Sequence, residues 1–377
     1  MRQNNALQVY YDERHVGTLA MTADHKVAFQ YCEEWLENGF PISPFSLPLK
    51  KQVFVPTKDY FDGLFGVFAD SLPDNWGRLL LNRLLREHKQ NLDELTVLDR
   101  LAIVGKSGMG ALTYYPEKSF SEQQKPVNLD ELAEACAKIL NTEYSDKLDE
   151  LYYLGGTSGG ARPKIMTTVD RKDWIIKFPA HVDGKDAGKM EYDYSCCASA
   201  RQCGITMSET RLFSSDKCKG YFGIRRFDRE ADGKRLHMLT AAALLELDFE
   251  QPSLDYHSLM KLTKILTRDN KEDVENMFRR MCFNVFAHNR DDHSKNFTYL
   301  YDEINDQWRL SPAYDLTYSN TYYGEHTTTI DGNGRNPGRK ELLAVGSAAG
   351  MRKNNCERII DTIQACVSQM LGEYLDI

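Results

Sequence analysis

The sequence predicts an α+β protein made of two units: a small β-containing one, then a larger one that ends in a mostly helical lobe. Three observations carry this expectation. Alternating apolar and polar residues mark a hairpin at the N-terminus and a strand near residue 175. Two amphipathic helices dominate the C-terminal third. Between the units, Glu117 to Lys125 is polar and charged and reads as a linker.

The first unit, residues 1–116, opens with Leu7-Gln8-Val9-Tyr10-Tyr11, a polar turn at Asp12-Glu13-Arg14, then Val16 to Leu19. Pro41, Pro44 and Pro48 make the next stretch irregular or edge structure. Leu79, Leu80 and Leu84 recur at helical spacing after Asp74-Asn75, which is placed to cap that helix. The second unit, residues 127–377, begins with a helical pattern (Leu132, Ala135, Cys136, Ile139) and then a glycine cluster at 155–160. Lys172 to Pro179 reads as a strand, with Trp174, Ile176 and Phe178 on one face and Ile175 and Lys177 on the other. Asp273 to about His288 is the clearest helix, its core stripe formed by Val274, Met277, Phe278, Met281, Cys282, Val285 and Phe286. That helix runs straight into the polar segment Asn289 to Asn296. A hairpin follows (Phe297–Leu300, Trp308–Leu310), and the chain closes with a helix carried by Ile359, Ile360, Ile363, Val367, Met370 and Leu371.

Composition narrows the function class. At 42% hydrophobic and 27% charged residues, the chain is an ordinary globular one. Its most apolar stretch, Thr240 to Leu245, is far short of the roughly 20 residues of a membrane span, and no apolar run follows the N-terminus, so neither a membrane location nor secretion is expected. Nine scattered cysteines with no C-x-x-C pair suit free thiols in a reducing cytoplasm. A net charge of −8 argues against autonomous DNA binding but leaves room for reaching DNA through a partner.

Asp291 and Asn296 stand in the order D-x-x-x-x-N, the spacing at which protein kinases take a catalytic Asp and a Mg²⁺-binding Asn from one loop. A second metal-binding Asp should follow the hairpin, and Asp315 is placed for it. Taken alone, residues 289–293 read equally well as a solvated helix end. Lys177, mid-strand among apolar residues, needs a partner or a role; holding ATP phosphates is one, and reaching solvent from an edge strand is the rival. Glu191, after the break at Asp183-Gly184, can open a helix that supplies an ion-pair partner. The run Gly155-Gly156-Thr157-Ser158-Gly159-Gly160 lies about 20 residues before Lys177, where glycines let backbone N–H groups approach phosphate.

Other chemistries lack their parts. Gly105-Lys106-Ser107 looks like the end of a P-loop, but the glycine needed five residues earlier is Arg100. His293 has no second histidine at helical metal-ligand spacing, so bracing the loop is its expected role. No G-x-S-x-G elbow occurs.

The segment Asn289-Arg290-Asp291-Asp292-His293-Ser294-Lys295-Asn296-Phe297, with Gly159-Gly160-Ala161-Arg162-Pro163-Lys164, resembles the HipA family of bacterial toxin-like serine/threonine kinases. Ile176-Lys177-Phe178-Pro179, Arg226-Phe227-Asp228-Arg229 and Ser311-Pro312-Ala313-Tyr314-Asp315 resemble the family's lysine strand, nucleotide-base segment and metal-Asp segment. Ser46 to Leu49, Phe68 to Asp74 and Gly108 to Leu112 are similar to its N-terminal subdomain.

The resemblance implies a two-lobed protein-kinase-like fold. Its ATP-binding strands and glycine-rich loop would lie at about 150–230 and its helical catalytic lobe at about 235–377. Asp291 would be the base, Asn296 and Asp315 the Mg²⁺ ligands, and Glu191 the ion-pair partner of Lys177. Lys177, Gly159, Gly160, Arg226, Phe227, Asp228, His293 and Lys295 would bind ATP. Also implied are autophosphorylation at Thr157 or Ser158 and a protein substrate in translation, such as an aminoacyl-tRNA synthetase. A small helix-turn-helix antitoxin would carry the complex to DNA. Two alternatives stay open: a kinase of this fold acting on a lipid or small molecule, and a non-catalytic subunit of a repressor complex.

Overall fold

The computed structural model describes residues 4–375 apart from 90–93, 119–126, 181–183, 185, 231, 249 and 322, so most of the expected linker and Asp183 lie outside the described residues. The N-terminal hairpin forms as expected: β1 (Ala6–Tyr11) pairs antiparallel with β2 (Arg14–Met21) around Asp12 and Glu13, both in the left-handed region. β3 (Val27–Tyr31), α1 (Glu33–Asn38), β4 (Val53–Phe54) and α2 (Gly66–Ala69) follow. The stretch from Pro41 to Pro48 holds no strand or helix, only a bridge from Ser43 to Leu47. α3 (Asn75–Glu87) and α4 (Val97–Val104) precede β5 (Leu112–Tyr115), which returns to β1 and completes a five-stranded sheet in the order β4-β3-β2-β1-β5. Gly105-Lys106-Ser107 leaves a helix, α4, whereas a P-loop leaves a strand.

α5 (Leu129–Leu140) buries the four residues expected of it, and α6 (Leu148–Gly155) ends in the glycine cluster. A four-stranded antiparallel sheet follows, in the order β6-β7-β9-β8, from β6 (Lys164–Val169), β7 (Lys172–Lys177), β8 (Thr210–Phe213) and β9 (Tyr221–Arg225). β7 lies inside this sheet, paired on both sides, so Lys177 is no edge-strand lysine. α7 (Ala187–Ser199) crosses between β7 and β8 and packs on the sheet.

The C-terminal lobe is mostly helical: α8 (Ala241–Leu245), α9 (Tyr256–Leu266), α10 (Lys271–Phe286), α11 (Arg339–Ala348) and α12 (Lys353–Leu375). A small sheet, β10 (Met238–Thr240), β11 (Thr298–Asp302) and β12 (Gln307–Leu310), lies against them. Asn270 caps α10 by accepting from the Glu272 and Asp273 N–H groups, and Glu272 and Asp273 suit the positive end of the helix. Six of the seven stripe residues of α10 are buried, with Phe286 half-buried. On α12 the stripe holds except at Met370, which is 42% exposed. It sits at the outer margin of the buried face.

The apolar core ignores the boundary near residue 120. Trp76, Leu80 and Leu84 of α3 pack with Leu132, Leu151, Ile176 and Phe178, so an N-terminal helix helps build the core of the four-stranded sheet's lobe. The N-terminal sheet likewise shares one core with α9, α10 and α12.

Candidate active site

The site forms where α10 ends, β7 ends and the glycine cluster turns. Lys177 is buried, and its Nζ reaches Glu191 Oε1 on α7 at 2.6 Å and Asp315 Oδ1 beyond β12. Glu191 is fully buried and is held a second time by Arg162 Nη1 at 2.6 Å. Burial alone would push the Lys177 ammonium down, but Asp315 and Glu191 outweigh it and hold it up. Burial would raise the Asp315 carboxyl, yet Lys177 and Lys164 hold it well below the usual carboxylate range. Asp315 sits in the left-handed region at φ 56°, which aspartate tolerates better than most residues.

The loop after α10 is fixed from behind. Asp292 is buried and accepts from Tyr256 Oη at 3.0 Å and the Thr328 N–H at 3.1 Å, with His326 Nδ1 at 2.9 Å. Asn284 of α10 donates to Tyr256 Oη at 2.9 Å. With Asp292 committed inward, its neighbour Asp291 faces solvent. Desolvation by the surrounding protein pushes the Asp291 carboxyl up and Asp315 adds to it, while His293 opposes. Asn296 Nδ2 donates to the Asp291 carbonyl at 2.7 Å, which leaves the amide Oδ1 as the group available to a cation.

The glycine cluster closes the site from the other side. Gly160 adopts φ 86°, where a Cβ would also lie 2.5 Å from Lys164 Nζ, and its N–H donates to Asp74 Oδ2 at 2.7 Å. Thr157 Oγ1 donates to the Ser107 carbonyl at 3.0 Å and Ser158 Oγ to the Gly155 carbonyl at 2.6 Å, so both hydroxyls are turned inward. Lys164 is buried with its Nζ on the Gly159 carbonyl; burial and the neighbouring Lys177 push it down to about 8.

Asp74 is the main correction to the sequence reading. It occupies the N-cap position of α3 without making a side-chain cap bond. Its carboxylate instead joins Gly160 to Lys295 Nζ, tying the glycine loop to the loop after α10. Asp70, one turn earlier, accepts from the Thr240 N–H and hydroxyl, and burial raises its carboxyl to about 6. No sequence spacing links residues 70 and 74 to 240 and 295, so the signal was absent. Asn284 did leave one: a polar residue seven positions after Met277, on the core face of the helix.

The segment from Arg226 to Asp228 divides. Arg226 and Asp228 form a buried two-pronged pair at 2.9 and 2.8 Å, and Asp228 also accepts from Arg229 and the Gly110 N–H. Their side chains are thus committed to each other and to the N-terminal unit. Phe227 is free of that cluster and packs its ring on Tyr314, centroids 5.4 Å apart.

The donor set fits Mg²⁺ and a nucleotide. Carboxylate and amide oxygens at Asp315 and Asn296 are hard ligands of the kind Mg²⁺ takes, with the Lys177 ammonium on Asp315 and that of Lys164 within electrostatic reach of it. A separate cavity of about 620 Å³ is lined mostly by apolar residues, among them Phe45, Val55, Phe65 and Leu245, with Lys58, Glu246 and Lys261 at its wall and none of the residues of this site.

The whole chain has relatives. A HipA N-terminal domain model matches residues 7–115 and a HipA-like C-terminal domain model matches residues 156–370. Two Sinorhizobium fredii proteins, "Putative kinase Y4mE" and "Putative kinase Y4dM", are 24% and 23% identical. The first alignment covers 98% of this chain and 93% of the relative, the second 84% and 78%. Among solved structures, HipA of Shewanella oneidensis, in a complex with HipB and operator DNA, superposes with a TM-score of 0.73 at 17% identity. That superposition covers 98% of this chain and 90% of the other. The fold is therefore the two-lobed, kinase-like α+β fold of HipA, and with both domain models matched in order, this chain belongs to the HipA family.

Proposed function

We propose that the chain is a Mg²⁺- and ATP-dependent serine/threonine protein kinase of HipA type, the toxin of a toxin–antitoxin pair. The observation that carries this reading is Lys177, held at once by Glu191 and Asp315 and within electrostatic reach of Asp291. Bound Mg²⁺-ATP supplies the phosphoryl group and the metal charge that stabilises its transfer. Asn296 Oδ1 and the Asp315 carboxylate would hold the metal. Lys177 and Lys164 would place positive charge on the phosphates, and the Gly159-Gly160 turn would cover them. Asp291 accepts the proton of the acceptor hydroxyl as its oxygen attacks, and its raised carboxyl makes it a better base than an ordinary aspartate.

The acceptor is a hydroxyl of a protein of the translation machinery. A second acceptor is Thr157 or Ser158 of the chain itself. Both point inward in this structure, so phosphorylation requires the glycine loop to swing out, and the added charge of about −2 then keeps it out. The family match and the HipB-bound Shewanella structure support a small helix-turn-helix antitoxin partner, with DNA reached through it.

Incubating the protein with labelled ATP tests this reading. The chain should label itself at Thr157 or Ser158. Asp291→Asn should cut the rate by about 10²- to 10⁴-fold with an unchanged unfolding midpoint. A fully active Asp291→Asn protein removes the base, and a wild-type glycine loop without phosphate removes the self-modification.

A further inference from the structure

Three cysteines that phosphoryl transfer does not use converge in the interior. Cys197 comes from the last turn of α7, Cys203 from the turn that follows, and Cys366 from the middle of α12. Their sulfurs all lie within 4.8 Å of one another, and Cys197 and Cys366 are 3.9 Å apart. Cys197 and Cys203 are 0% exposed and Cys366 5%. Buried cysteines often serve only as small apolar residues. Two features here go beyond packing. The sulfurs come from three separate segments at the spacing of ligands, since metal–sulfur bonds of about 2.3 Å in a trigonal plane set sulfurs about 4 Å apart. A fourth sulfur leads outward: Met370 Sδ lies 3.7 Å from Cys366 Sγ, and the Met370 side chain reaches the surface.

The ligand set chooses the ion. Structural zinc takes four ligands, normally Cys and His, and among the described residues no fourth Cys, His or carboxylate joins the three thiols. Thiolates assisted by a thioether select soft Cu(I). We propose that Cys197, Cys203 and Cys366 form a three-sulfur site for one Cu(I) ion, which enters by way of Met370. Each sulfur that binds releases its proton to solvent, no electron is transferred, and affinity therefore rises with pH. The occupied site joins α7, the helix that carries Glu191, to α12. It stands apart from the kinase reading and does not depend on it.

The test is an anaerobic titration of the full, reduced chain with Cu(I) against a chromogenic Cu(I) chelator. One ion per chain should bind, with three sulfur neighbours in the X-ray absorption spectrum, at least tenfold tighter at pH 8 than at pH 6. The unfolding midpoint should rise with the ion. Cys203→Ser should weaken binding at least a hundredfold, and Cys218→Ser should leave it unchanged. Cys203→Ala, which keeps a small apolar group, reads the same loss if the serine variant fails to fold. Met370→Leu should slow loading without changing the stoichiometry. Failure of the wild type to compete with the chelator, equal uptake by both Cys203 variants, or a spectrum of oxygen neighbours would each overturn the site.

Discussion

Glu191 is a carboxylate with no access to water, and its charge is tolerated because Lys177 and Arg162 both reach it. Breaking a buried pair by removing one partner costs far more than the pair contributes, since the other charge is left without compensation. Lys177→Ala strips both Glu191 and Asp315 of an ammonium, so it should destabilise the fold by about 3–5 kcal/mol as well as abolish nucleotide binding. Urea unfolding and a nucleotide titration on the same protein check the two effects. Lys164 makes a prediction of its own. Its ammonium, brought down to about 8, is charged below that pH and neutral above it in the free protein. Nucleotide affinity should therefore be flat up to about pH 8 and then fall by up to tenfold per unit. Lys164→Arg, which stays protonated, should remove the fall, and a pH series of binding titrations shows whether it does.

The glycine loop, as an element, is held by an outside residue. Asp74 accepts from Gly160 and pairs with Lys295, so a helix of the N-terminal unit sets the distance between the glycine loop and the loop after α10. Asp74→Ala removes a hydrogen bond to a charged acceptor, worth about 1.5–3 kcal/mol. It should raise the KM for ATP roughly ten- to hundredfold, with a smaller effect on kcat. Asp74→Asn can still accept from the Gly160 N–H and should recover part of the loss, which steady-state kinetics would show. α10 works differently, as a rigid strut. Its apolar stripe docks it in the core, and Asn284 on the same side carries the link through Tyr256 to Asp292.

The molecule as a whole is less divisible than its sequence suggests. A chain beginning at residue 127 would lose Trp76, Leu80 and Leu84, whose partners on α6 and β7 would then face water. Burying a large apolar side chain contributes about 1.5–3 kcal/mol, so losing these three is comparable with the whole stability of an ordinary domain. Residues 127–377 made alone should aggregate or stay unfolded, and should recover a cooperative transition when residues 1–116 are supplied. Gel filtration and thermal unfolding of the fragment, with and without the first unit, check this.

Periodicity and local chemistry were enough for the sequence to determine its elements. The hairpin from residue 7, the α10 stripe, the strand ending at Lys177 and the spacing of Asp291 to Asn296 all rest on residues near one another in the chain. Glu191 was legible too, because it lies on α7, the element that directly follows the strand ending at Lys177. Tertiary structure alone decided what crosses long stretches of chain: the carboxylate of Asp74 on Lys295, the brace of Tyr256 and His326 behind Asp292, the inward turn of Thr157 and Ser158, and three thiols meeting behind α7. Hydrogen bonds and ion pairs act only at contact distance, and contact between residues 74 and 295 is made by packing α3 into a core that no local pattern describes.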